Sequence, residues 1–183
     1  MKIRADEGNL ATATFIFESP DGTRMSQFTL KLMDINQQRL GIPQTEYKAS
    51  VRLSSAEFQR ISRDMGVIGE TVGVGVKKDE VHFTVTGDIG DGEICLKQGG
   101  SADGGSETVV ECSEPVSSTF ALKYFVFFSK ATALSDTVII QMNPDVPISI
   151  QYRMNDNAGY IRYYLAPKID DDAGDDDGAT GDM

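Results

Sequence analysis

An α+β architecture, with antiparallel sheets and two helices on one side of them, follows from three features of this sequence. Most of the chain falls into short runs of period-two hydrophobic alternation bounded by Gly, Pro, Asn and Asp. Only two stretches carry helical spacing, beginning near Ser55 and Ala121. A strand–helix–strand–strand–strand order occurs twice, as a repeat of architecture with no obvious residue identity.

The first 33 residues predict three strands, 2–6, 11–18 and 25–33. Glu7-Gly8-Asn9 and Ser19-Pro20-Asp21-Gly22 mark the turns between them. In the third run Phe28, Leu30 and Leu32 alternate with Gln27, Thr29 and Lys31. A three-stranded ribbon is marginal alone, so this segment reads as the last three strands of an incomplete domain. Residues 34–45 lose the pattern and form a long connector with an apolar Leu40-Gly41-Ile42-Pro43 patch.

The first repeat unit opens with a strand at 46–53, where Tyr47, Ala49, Val51 and Leu53 alternate. A helix at about 55–65 follows. Ser54 as N-cap and Glu57 three positions on predict a capping box, and Phe58, Ile61, Ser62 and Met65 form one stripe. Strands at 71–76, 81–86 and 92–98 complete the unit, and Gly99 to Ser106 is a polar loop. The second unit predicts a strand region at 107–119, a helix at 121–130 and strands at 136–142, 148–154 and 159–165. Residues 170–183 are Asp/Gly-rich without periodicity and predict a solvated, mobile tail.

The 183 residues are 40% apolar, enough for a core. The net charge is −11, of which the tail's seven Asp supply −7. An acidic balance opposes tight electrostatic binding of nucleic acid by the whole surface. No apolar run reaches the roughly 20 residues of a membrane-spanning helix, and no secretory signal opens the chain. Two cysteines, Cys95 and Cys112, make neither a disulfide framework nor a four-ligand zinc site by themselves. The expectation is a soluble intracellular protein with reduced thiols.

Catalytic chemistry is poorly supplied. The lone histidine, His82, alternates on a predicted strand and reads as solvent-facing. Cys95, between Ile94 and Leu96, and Cys112, after Val109-Val110, read as packing residues. Gly73 and Gly75 lack the third glycine and the helix of a phosphate loop. Asp88 and Asp91 flank Gly90 as turn chemistry, and the Asp-rich tail does not match a calcium loop. Nothing joins a nucleophile to a base and an orienting group, so no enzyme, cofactor or metal is expected. What remains is charge segregation: Arg60 and Arg63 on the first helix, Lys123 and Lys130 on the second. These four read either as ordinary solvated helix faces or as a modest basic surface for weak, sequence-independent phosphate contact.

Several motifs carry a family resemblance. They are Leu32-Met33-Asp34, Leu40-Gly41-Ile42-Pro43, Ser55-Ala56-Glu57-Phe58, Thr119-Phe120-Ala121-Leu122, and Tyr163-Tyr164-Leu165-Ala166-Pro167-Lys168-Ile169 before an acidic tail. In continuous order over about residues 1–170 the chain resembles the proliferating cell nuclear antigen family of eukaryotic sliding clamps. The resemblance implies the DNA-clamp fold, with sheets outside and two helices on the inner face of a homotrimeric ring. It implies that 1–33 match the last three strands of an N-terminal clamp domain, 34–45 the interdomain connector, 46–169 the complete C-terminal domain, and 170–183 the tail.

The resemblance further implies residue roles. Arg24, Arg60, Arg63, Lys123 and Lys130 would face duplex DNA. Leu40, Gly41, Ile42, Pro43, Pro147, Tyr164, Leu165, Ala166, Pro167, Lys168 and Ile169 would line a groove for peptides of DNA polymerases, clamp loader, nuclease and ligase. Phe28 and Leu30 on one strand, and Gly92, Ile94 and Leu96 on another, would meet between subunits. Lys78 would be a modification site. The implied role is a nuclear, non-enzymatic processivity factor in replication and repair. The alternative is a shortened clamp that keeps only peptide binding, without ring closure.

Overall fold

The computed structural model describes residues 1–6, 9–33, 45–100, 106–144, 146–154 and 158–169. The chain separates into two compact units, Met1–Pro43 and Gln44–Met183. No helix among the described residues is long and apolar enough to cross a membrane.

The first unit is an antiparallel sheet in sequence order: β1 (Lys2–Asp6), β2 (Asn9–Glu18) and β3 (Met25–Lys31). The β2–β3 connection is locked by its own polar residues. The Ser19 amide donates to the Arg24 carbonyl at 2.9 Å, and Gly22 adopts φ 67°, open to glycine at no steric cost. The Asp21 carboxylate accepts from the Ser19 hydroxyl at 2.6 Å and from the Thr23 hydroxyl at 2.7 Å. Those hydroxyl bonds, with the Thr23 amide, hold its pKa down to about 2. The turn's contribution should therefore be complete above the ordinary carboxylate pKa near 4 and should fade as pH falls from about 4 to 2. An NMR titration of Asp21 with a midpoint near 4 would refute this. Both faces of β3 are open: Phe28 and Leu30 are exposed on one face, Gln27, Thr29 and Lys31 on the other.

The second unit holds two sheets and the helices. One sheet has the order β12-β11-β10-β4-β8 and the other β7-β6-β5-β9, all antiparallel. The strands are β4 (Ala49–Ser54), β5 (Thr71–Lys77), β6 (Glu80–Gly87), β7 (Gly90–Lys97), β8 (Val109–Cys112), β9 (Val116–Ala121), β10 (Thr137–Met142), β11 (Ile148–Met154) and β12 (Gly159–Leu165). Helix α1 spans Ser55–Ile68 and α2 spans Leu122–Phe128.

Three local expectations are corrected. The strand region 107–119 is two strands in different sheets, because Ser113-Glu114-Pro115 interrupts it and proline has no amide to give the ladder. The second helix stops at Phe128 and tightens into a 3-10 run, Ser129–Leu134. There the Ser129 hydroxyl donates to the Val126 carbonyl at 3.0 Å and the Thr132 hydroxyl to the Ser129 carbonyl at 2.6 Å, competing for helix acceptors. The capping box does not form. Ser54 stays in the ladder opposite Thr137 with no side-chain cap bond, and Glu57 pairs with Arg60 instead. The helix start is held by Ser55, whose amide donates to the Asp136 carbonyl at 3.0 Å and whose hydroxyl donates to the Ser135 carbonyl.

Between the sheets lies one core. The α1 stripe of Phe58, Ile61, Ser62 and Met65 is buried. Phe58 meets Phe125 of α2 at 5.6 Å between ring centroids, and Phe125 meets Phe120 of β9 at 5.8 Å. In β5 Val72, Val74 and Val76 point in, while Gly73 and Gly75 occupy the outward positions. The α1–β5 corner is a backbone-to-backbone crossing. A Cβ on Gly87 would lie 1.8 Å from the Ile68 carbonyl oxygen, and one on Gly69 would lie 2.6 Å from that of Thr86.

Candidate functional site

Four of the 17 basic residues, Arg60, Arg63, Lys123 and Lys130, lie on helical segments, and packing decides which way they look. Gln59 of α1 donates to the Ser129 carbonyl at 3.2 Å, and Gly66 comes up against Val126. The flank of α1 through Gln59 and Gly66 therefore lies along α2. Helical periodicity places Arg63 between these two, and Arg60 toward the side opposite the buried stripe. Lys123 and Phe127 of α2, and Lys130 in the 3-10 run that follows it, are exposed at three- and four-residue spacing. The solvent side of one helix pair thus carries Arg60, Arg63, Lys123 and Lys130.

Each cation has a local partner. Arg60 pairs with Glu57, Arg63 lies 3.2 Å from Asp64, and Lys123 and Lys130 sit over the rings of Tyr124 and Phe127 at 5.1 and 5.2 Å. The contacts of Arg63, Lys123 and Lys130, at exposed positions, are weak, whereas the Arg60–Glu57 pair is part-buried. They orient the side chains without consuming their charge. Arg24 lies in the β2–β3 turn of the other unit and is exposed.

The C-terminal motif begins in β12, where Leu165 pairs with Ile148 and Tyr164 with Ser149. The Tyr164 hydroxyl accepts from Arg162 at 3.2 Å. Residues 166–169 then leave the sheet and are tied to the other one: the Lys168 amide donates to the Thr119 carbonyl and its ammonium to the Thr71 hydroxyl, each at 2.8 Å. Tyr164, Leu165 and Pro167 are half-buried, whereas Pro147, Ala166 and Ile169 are exposed. Lys168 lines a cleft with Lys123, Phe127 and Gly66 beside the helices. Leu40, Gly41, Ile42 and Pro43, expected opposite this motif, lie outside the described residues, as does the tail 170–183.

Six strands are sheet edges among the described residues, β1, β3, β7, β8, β9 and β12; β3 in the first unit and β7 in the second are the two expected to meet between subunits. In β7, Gly92, Ile94 and Leu96 point toward the core and are half-buried. The expectation that Cys95 packs with Ile94 and Leu96 is corrected, since strand alternation turns it outward and leaves it exposed. Asp91 is likewise a strand residue opposite Thr86 and not part of a loop. Cys112 is half-buried, its thiol donating to the Glu114 carbonyl at 3.1 Å, and burial pushes its pKa up. Lys78 is exposed in the short turn between β5 and β6.

His82 is not the free solvent-facing side chain the alternation suggested. It is on the outer sheet face, but its Nε2 lies 2.9 Å from Glu80 Oε1 and its Nδ1 lies 2.7 Å from Glu93 Oε1. The hydrogen bonds it donates to Glu80 and then to Glu93 push its pKa up, and the His82 contact holds that of Glu80 down. Sequence reading missed this grouping. The usable signal was the two-residue Asp88-Ile89 turn, which fixes the β6–β7 register and sets His82 opposite Cys95.

Comparison with known families gives one match that covers most of the second unit. Residues 41–168 fit the family model described as proliferating cell nuclear antigen, C-terminal domain.

Proposed function

The chain belongs to the proliferating cell nuclear antigen family, and from that premise we propose that it acts as a DNA polymerase processivity factor. In this reading it encircles duplex DNA in a trimeric ring and tethers replication and repair proteins to it, in the nucleus. It carries out no reaction itself; polymerases, clamp loader, nuclease and ligase dock through short peptides.

The observation that carries this reading is the helix pair. Four cations share its solvent side on a chain whose net charge is −11. Weak contacts to phosphates suit a ring that must move, since each is salt-sensitive and none reads a base edge. Retention comes from closure around the duplex, and the acidic remainder disfavours off-path contact. The exposed edges of β3 and β7, with Phe28 and Leu30 on one and Gly92, Ile94 and Leu96 on the other, suit strand pairing between subunits. The motif at Pro147 and Tyr164 to Ile169 suits one wall of a peptide groove completed by Leu40, Gly41, Ile42 and Pro43. Lys78, exposed on a turn, suits covalent modification.

The test is duplex binding followed by fluorescence anisotropy over a range of salt. The expected result is weak, sequence-independent binding. Replacing both Lys123 and Lys130 by Ala should flatten the slope of log K against log salt by roughly 2 per subunit engaged, at about 0.9 per lost phosphate contact. An unchanged slope would remove these lysines from the DNA interface. Light scattering on the same samples separates a trimeric clamp from a monomer that only binds peptides.

A further inference from the structure

The outer face of the β5–β6–β7 sheet gathers a nitrogen, a sulfur and carboxylate oxygens at one point, away from the helix pair. Register produces this. His82 stands directly opposite Cys95, and Glu80 and Glu93 lie two residues from them on β6 and β7, so all four side chains share one face.

The distances suit a metal ion. His82 Nε2 lies 2.9 Å from Glu80 Oε1 and 3.7 Å from Cys95 Sγ, and Cys95 Sγ lies 3.7 Å from Glu80 Oε2. Ligand atoms of all three residues fall within 4.8 Å of one another. A tetrahedral zinc ion, with bonds of about 2.0 Å to nitrogen and oxygen and about 2.3 Å to sulfur, sets its ligands roughly 3.3–3.6 Å apart. A second observation points the same way. Glu93 holds His82 Nδ1 at 2.7 Å, leaving Nε2 for the metal; this is the carboxylate–imidazole arrangement that orients zinc-bound histidines. On the other side of β6, Gly75 faces His82 and Gly73 faces Thr84. The groove over these glycines is lined by His82 and Glu93.

The geometry points to a zinc site in which His82 Nε2, Cys95 Sγ and a Glu80 carboxylate oxygen hold the ion, with Glu93 as the positioning residue and water in the fourth place. The mixed sulfur, nitrogen and oxygen set favours zinc over magnesium or calcium. Binding converts the Cys95 thiol to thiolate and releases its proton, so thiolate and carboxylate balance the 2+ charge. The Lys77 ammonium, 3.6 Å from Glu80 Oε1, gives way or shares the carboxylate. The ion would pin β7, an edge strand of its sheet, to β6. This assignment does not depend on the clamp reading and departs from the sequence expectation of no metal.

The test uses the untagged full chain under reducing conditions, titrated with Co2+ as the visible stand-in and then with Zn2+. One equivalent of Co2+ should give a thiolate-to-cobalt charge-transfer band, which Zn2+ abolishes. Cys95→Ser, at an exposed position, should fold as judged by circular dichroism, lose the band and bind Co2+ more than about 100-fold less tightly. Glu93→Gln should keep the band and weaken binding by about 10–100-fold. Cys112→Ser should behave as the parent. Absence of the band in the parent chain, its survival in Cys95→Ser, or its loss in Cys112→Ser would each overturn the assignment.

Discussion

Phe58→Ala is expected to lower the unfolding free energy of the Gln44–Met183 unit by about 3–5 kcal/mol, measured by urea denaturation. Phe58 is 0% exposed. Its ring joins α1 to α2 through Phe125, which in turn touches Phe120 of β9. Removal leaves a cavity bounded by three elements, each anchored elsewhere, so little collapse can offset the lost contacts. The helix pair would lose the contact that aligns it, and the basic side chains would lose their common direction. A loss under about 1 kcal/mol would mean that the helices are held together by something other than these rings.

Gly87→Ala should be comparably damaging, by at least about 2 kcal/mol, although it adds a single methyl group. The added carbon would sit 1.8 Å from the carbonyl oxygen of Ile68. That neighbour is backbone at the end of a helix, so no rotamer change relieves the overlap; the end of α1 and the end of β6 must separate. Gly66→Ala is the internal control, since its nearest neighbour is a Val126 methyl at 3.9 Å, an ordinary contact. Thermal melts of both variants decide the matter. Equal melting temperatures would remove the crossing from the determinants of this fold.

Much of the architecture could be read from local pattern, because burial imposes its period directly on the residues. The stripe of Phe58, Ile61 and Met65 and the alternation of Val72, Val74 and Val76 both face the core as their spacing requires. What escaped was non-local. Ser54 and Glu57 have the chemistry of a cap, but the chain enters α1 straight from a ladder, and Arg60 takes the glutamate. The stretch 107–119 is β-prone throughout, and only pairing shows that its halves belong to different sheets. Cys95 was grouped with its apolar neighbours, although period two puts it on the other face. The Glu80–His82–Cys95 grouping required the β6–β7 register, which neither strand reveals alone. Of the expected partner groove, only the wall at Pro147 and 164–169 is described, so the motif at residues 40–43 rests on its sequence.

The two sheets are interleaved. β4, which leads into α1, lies between β8 and β10, while β5, which follows α1, lies against β9. Leu53 thus faces Val138, and Val72 faces Phe120. A nascent chain must have emerged past Ala121 before the smaller sheet can close, and past Met142 before β4 gains its second neighbour. Until then the valines of β5 and β6 have no lasting cover. Assembly is therefore late and all-or-none, closure of long loops sets its pace, and neither half of the unit, released by itself, has a sheet to complete.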